Sequence, residues 1–178
     1  LQIRENQESP SITLAEGNAN ALAWGTDATL FVAQQDGSIA AWDTTNQVKR
    51  CSVSVKKGIR KLDYCQKASL LAIAEHRGKV KLFDANLRLE AEFQANTGLL
   101  QDCSFSPDGK RLAVAFDDVG VIWDIENLVE INRLEGHLAG IFSIAWHPQQ
   151  ERIATGGAAR NVCLWDARTG QLLMRVEG

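Results

Sequence analysis

Few residues of this chain have side chains suited to chemistry, and their spacing argues against it. His76 sits in a turn-like stretch, His137 follows a glycine, and His147 precedes Pro148. A metal site needs ligands that converge from a short, regular spacing, and these three do not supply one. Asp117 and Asp118 are adjacent, but neighbouring carboxylates on a turn point apart or cap it rather than share a proton. Cys51, Cys65, Cys103 and Cys163 show no CxxC spacing and lie within apolar, strand-like runs. That pattern predicts buried free thiols in a reducing compartment. Glycine-rich phosphate loops, dinucleotide turns and nucleophile elbows are absent from the sequence. The expectation is a protein that is not an enzyme and uses no cofactor or metal.

Charge is distributed unevenly. Residues 49–81 hold ten Lys and Arg (among them Lys56, Lys57, Arg60 and Arg77) against only Asp63 and Glu75. The remainder holds nine Lys and Arg against twenty Asp and Glu, and the whole chain carries −3. One reading is a docking site for an anionic partner. The other is a solvated rim, favoured by the alternation of the basic residues along strands, which spreads them over different faces. Aromatics do not interleave them as stacking platforms would, so nucleic acid is disfavoured.

The elements that must position these residues are strands. At 178 residues, with 45% apolar and 23% charged residues, the chain suits one soluble domain. It has no apolar run long enough to span a membrane. Aromatic-Asp pairs recur at Trp42-Asp43, Phe83-Asp84, Trp123-Asp124 and Trp165-Asp166, 41, 40 and 42 residues apart. A second aromatic leads each pair: Trp24, Tyr64, Phe105 and Trp146. Two series in step at a period in the low forties fit four short antiparallel strands and their turns. In the third copy, Asp102–Phe105 reads as an inner strand and Ser106-Pro107-Asp108-Gly109 as a tight turn. Arg111–Ala115 and Val119–Trp123 follow as strands, and Glu130–Leu134 as a more polar outer one. Apolar residues on both faces of the inner strands suit sheets stacked face to face.

The last copy runs Glu135-Gly136-His137, then Ser143-Ile144-Ala145-Trp146, then Val162-Cys163-Leu164-Trp165-Asp166. It resembles one blade of a WD-repeat β-propeller, and the weaker copies extend the resemblance over nearly the whole chain. The resemblance implies an all-β propeller of four-stranded antiparallel blades, and an incomplete one. Residues 1–15 would be outer strands of a preceding blade. Four blades would then follow at 16–55, 56–94, 95–134 and 135–178. Both ends read as cut, so a fragment of a longer chain is expected, with further blades supplied by that chain or by another copy.

In that family a buried hydrogen-bond set joins the His of Gly-His, an Asp before the third strand, a second-strand hydroxyl and the Trp. Here His137, Thr155 and Trp165 stand in place, but the Asp position holds Ala159. Asp36 and Asp117 occupy it in the first and third blades, which lack the His and the hydroxyl, and the second blade has Arg77. The resemblance further implies a non-catalytic scaffold for other proteins, part of a larger protein or assembly. The alternative is a regulatory module that binds an anionic partner through the basic second blade. Docking is expected on the face carrying Arg60, His76, Arg77, Asp117, His137 and Phe142. Free thiols and the lack of an export signal place the chain inside the cell, in the cytoplasm with the nucleus left open.

Overall fold

The structure, a computed structural model, describes residues 18–177, so the strands expected within residues 1–15 lie outside the described residues. Four antiparallel sheets of four strands each follow one another along the chain. Blade 1 contains β1 (Ala19–Trp24), β2 (Thr29–Gln34), β3 (Ser38–Asp43) and β4 (Val48–Ser54). Blade 2 contains β5 (Ile59–Cys65), β6 (Leu70–Glu75), β7 (Lys79–Asp84) and β8 (Leu89–Gln94). Blade 3 contains β9 (Asp102–Phe105), β10 (Arg111–Ala115), β11 (Val119–Asp124) and β12 (Val129–Glu135). Blade 4 contains β13 (Ile141–Trp146), β14 (Arg152–Gly157), β15 (Asn161–Asp166) and β16 (Leu172–Glu177). The first strands β1, β5, β9 and β13 lie beside one another, so the sheets radiate from a common inner edge. No helix long and apolar enough to cross a membrane occurs among the described residues.

The second strands show why the sheets stack. Leu71 and Ile73 of β6 face blade 1, whereas Ala72 and Ala74 face blade 3. In β10, Leu112 and Val114 face blade 2 while Ala113 and Ala115 face blade 4. A strand's side chains alternate between faces, so blades 2 and 3 each offer bulk to the blade before and a shallow alanine surface to the blade after, while blade 1 presents Phe31 and Ala33 to blade 2. Each fully buried Leu or Ile contributes about 1.5–3 kcal/mol through the removal of apolar surface from water. The Trp-Asp aromatics join in: Trp165 is fully buried against blade 3, and Trp123 meets Phe93 of blade 2 with ring centroids 4.6 Å apart.

A bulge recurs where each third strand reaches its aromatic. Pairing of β3 with β4 shifts between Ala41 and Trp42, and the same slip occurs at Phe83, Trp123 and Trp165. One extra residue on the outer strand bends it around the aromatic. In blade 1 that residue is Arg50, whose guanidinium reaches Asp43 at 2.8 Å and the Thr29 hydroxyl at 3.0 Å.

The inner strands are joined by polar side chains. Asn20 donates to Ile59 O at 2.9 Å, bridging β1 to β5. Asp63 accepts from Phe105 N at 2.7 Å, bridging β5 to β9. Asp102 accepts from Ile144 N at 3.1 Å and from the Ser143 hydroxyl at 3.0 Å, bridging β9 to β13, while Lys61 sits 3.1 Å from its other oxygen. Each first strand is the edge of its sheet, and these groups satisfy backbone positions that no ladder partner reaches.

Replacing Asp102 with Ala is expected to lower the unfolding free energy by about 3 kcal/mol in urea denaturation, because charge-assisted bonds and a countercharge to Lys61 vanish together. Leu112→Ala is expected to cost roughly 2–5 kcal/mol, the price of a cavity in a close-packed stack. A loss below about 1 kcal/mol for Asp102→Ala would show that the bridge holds nothing.

Candidate interaction surface

Within each blade the Asp of the aromatic-Asp pair caps the turn into the fourth strand. Asp43 accepts from Thr45 N and Asn46 N, each at 3.0 Å. Asp84 accepts from Asn86 N and Arg88 N, Asp124 from Asn127 N, and Asp166 from Arg168 N and Thr169 N. A short carboxylate that mimics a turn of backbone explains why Asp recurs at this place. The Arg50 guanidinium, followed by the Asn46 groups, holds the Asp43 carboxyl well below the usual carboxylate range. The Arg168 and Thr169 amides lower Asp166 in the same direction.

The buried polar set of blade 4 is present in part. Trp165 Nε1 donates to Thr155 Oγ1 at 2.7 Å, and His137 Nε2 lies 2.6 Å from the same oxygen. With the imidazole proton on Nδ1, the hydroxyl accepts from Trp165 and donates to His137. His137 Nδ1 itself has no protein partner, and Ala159 offers no side-chain acceptor. Burial, with help from Arg175, lowers the His137 pKa below its ordinary 6.5. Asp36 and Asp117 make different bonds: Asp36 accepts from Ser38 N at 2.8 Å, and Asp117 from Gln101 Nε2 at 3.1 Å. The indole nitrogens of Trp42 and Trp123 have no protein partner.

One end of the array is a hydrogen-bonded arc. His76, in the β6–β7 turn, donates its N–H to Gly58 O at 2.7 Å and accepts from Leu100 N at 2.9 Å. Asp117 O accepts from Ile141 N at 2.9 Å, and Gly140 O accepts from Ala158 N at 2.8 Å. Turns and linkers of successive blades therefore brace one another. Side chains extend the arc: Arg60 donates to Gln101 Oε1 at 2.7 Å, and Gln101 passes the link to Asp117. Leu138 and Phe142 are exposed near the same end of blade 4.

Lys56, Lys57, His76 and Arg77 come together around one depression of about 640 Å³ on blade 2. Lys79 and Lys81 line it too, but their charges are matched: Lys79 by Glu92 at 2.8 Å and Lys81 by Glu75 at 2.5 Å. Alternation along the strands does not disperse this set, because Lys56 and Lys57 arrive on a linker and His76 and Arg77 on a turn. Arg60 and Phe142 lie outside the depression.

Several structural residues escaped the sequence reading. Asn20, Asp63, Asp102 and Gln101 carry the links between blades, yet none belongs to a repeated marker. For Asp63 and Asp102 the available signal was a carboxylate beside apolar residues of an inner strand, as in Leu62-Asp63-Tyr64 and Asp102-Cys103. Arg111 was equally silent: it stacks 4.7 Å from the Trp146 ring and pairs with Glu151 at 2.8 Å, joining blades 3 and 4.

Comparison with known proteins bears on this geometry. Residues 128–166 match the family model for the WD domain, G-beta repeat, and residues 62–137 match that for the anaphase-promoting complex subunit 4 WD40 domain. Denticleless protein homolog of Xenopus tropicalis is 29% identical over 106 residues, covering 56% of this chain and 15% of that protein. Protein groucho of Drosophila melanogaster is 24% identical over 149 residues, 78% of this chain and 20% of that one. The human WD repeat and SOCS box-containing protein 1 is 28% identical over 103 residues, 54% of this chain and 24% of that one. A chain in a crystal structure of the mitotic checkpoint complex superimposes with a TM-score of 0.82 at 22% identity, over 93% of this chain and 52% of that chain. This chain thus spans less than a quarter of the length of these relatives and about half of the solved structure.

Folding stability should depend on pH through His137. Its folded pKa is depressed, so its contribution is complete above 6.5 and is lost as pH falls through the lowered folded value. His137→Gln is expected to flatten that slope in denaturation curves taken across the acid range. Thr155→Val, which removes the shared hydroxyl while keeping shape, is expected to cost about 1–3 kcal/mol and to leave Trp165 Nε1 unpaired.

Proposed function

Because the chain belongs to the WD-repeat family, we propose that it is a non-catalytic scaffold that binds other proteins, as one segment of a larger propeller. The observation that carries this is the braced arc of turns and linkers presenting Arg60, His76, Arg77, Asp117, Leu138 and Phe142. A surface held by hydrogen bonds between blades loses little freedom when a partner docks, and this favours binding. The end faces support the larger propeller. Val162, Met174 and Val176 are about half exposed on the far face of blade 4, and Leu22 and Trp24 are exposed on blade 1. Contiguous apolar surface of this kind suits further blades, from the same chain or a second copy. Four cysteines with free thiols suit work inside the cell.

A photo-crosslinking residue placed at Arg60 or at Phe142 is expected to capture the same partner proteins. One placed at Asn127, in the turn at the opposite end of blade 3, is expected to capture none of them. Equal capture from both ends would sink the assignment of the docking face.

A second reading has its own support: the basic depression suits an anionic partner, since Lys56, Lys57 and Arg77 are not matched by the two glutamates there. Calorimetric titration with pyrophosphate, a compact polyanion, is expected to show affinity that falls steeply with salt. Reversing charge at Lys56 and Lys57 together is expected to weaken it roughly tenfold. Unchanged affinity in that variant removes the reading.

A further inference from the structure

The basic depression is one half of a longer groove. Next to it lies a second depression of about 510 Å³, walled by Val53 and Val55 at the end of β4 and by Phe83 and Leu89 of blade 2. The two share Lys56, Lys81 and Glu92, so they are continuous. We infer that this groove between blades 1 and 2 receives an extended acidic segment of another protein, with its carboxylates at Lys56, Lys57 and Arg77 and an apolar side chain against Val53, Val55 and Leu89. The inference rests on the anion-binding reading above and names the source of the anion.

Three observations select a peptide. The charged half has a surplus: its five Lys and Arg meet only two carboxylates there, Glu92 and Glu75, which pair with Lys79 and Lys81. Asp36, near Lys57, is a further acid that acts on the set. A compact inorganic anion would use that half alone and leave the apolar wall wet. Leu89 is 52% exposed there, beside the half-buried Val53 and Val55, and gains only from an apolar group laid along the groove. Finally, β4 is the outer edge strand of its sheet, so half of its backbone groups face away from the ladder and can pair with an extended chain.

The groove is also preformed. Val55 N donates to Gly37 O and Ala95 N to Gly78 O, both at 2.9 Å, which fixes the linkers at either side. Gly78 has φ +79, and a Cβ there would lie 2.0 Å from Asn96 O, so this turn closes only around glycine. A binding wall that needs no ordering gives a short peptide usable affinity.

The test uses fluorescence anisotropy on the whole protein with labelled peptides of about ten residues, rich in glutamate and carrying one leucine. Matched peptides carry serine in place of leucine, and pyrophosphate serves as the compact anion. The leucine peptides are expected to bind roughly tenfold tighter than the serine peptides. Leu89→Ser should abolish that difference while leaving pyrophosphate and the serine peptides unaffected. The Lys56→Glu, Lys57→Glu double variant should weaken all three, and Lys110→Glu, on blade 3, should change none. If leucine and serine peptides bind alike and Leu89→Ser alters neither, the peptide inference is overturned while the anion reading stands. If neither peptides nor pyrophosphate respond to charge reversal at Lys56 and Lys57, both fall. All these positions are exposed, and urea melts of each variant verify that the fold is retained.

Discussion

Everything in this molecule depends on sheets packing face to face with a bulky side and a shallow side. Leu71, Ile73, Leu112, Val114 and Ile153 push toward the preceding blade, and the alanines alternating with them on β6 and β10 receive the next one. Side chains on a strand alternate strictly, so one second strand can serve two interfaces without a change of register. The alanine side brings successive sheets close near the inner strands, and the aromatics of the third strands fill the widening gap outside them. A wedge of this kind generates a radial array without any long-range instruction.

Close approach of the inner strands creates a polar problem, since each is a sheet edge with unpaired backbone groups. Asn20, Asp63 and Asp102 answer it by reaching to the neighbouring inner strand. Asp63 shows the cost. Burial raises its pKa, only partly offset by the Phe105 amide and by Lys61. Burial likewise pushes the fully enclosed Cys103 thiol well up, so it is a packing residue and a poor nucleophile. Asn20, Asp63 and Asp102 thus join blades, whereas Thr155 and Asp43 each lock one blade.

The proposed docking surface is built differently. Turns are braced by backbone hydrogen bonds to linkers of their own blade and the next, so the side chains they carry are free to face a partner. On blade 2 the same bracing brings a basic linker beside a basic turn, while two glutamates neutralise the strand lysines below. The groove between blades 1 and 2 exists only because both sheets are in place, since its walls come from β4 on one side and β7 and β8 on the other.

The repeat, the strands and the all-β class were legible in the residues, because two aromatic series in step and period-two alternation are local facts. The third copy shows this: Asp102–Phe105 and Arg111–Ala115 were read where the strands stand. So was the break in the buried polar set, since His137, Thr155 and Ala159 are placed by counting from Trp165. The role of Asp in the Trp-Asp pair was less visible, since a turn cap is recognised by which amides point at it. The partners that Asn20, Asp63, Asp102 and Gln101 reach were not legible, even where a carboxylate among apolar neighbours marked the residue itself. The links between blades join residues about forty positions apart, and one sequence carries no record of which strand lies beside which. The same holds for the basic residues of blade 2. Their sequence shows only alternating charge, whereas the linker and the turn that gather Lys56, Lys57, His76 and Arg77 meet through tertiary hydrogen bonds. Composition and periodicity determined the blade, because they act within a few residues. Only the packing of one blade on the next decided where charge collects and where a groove opens.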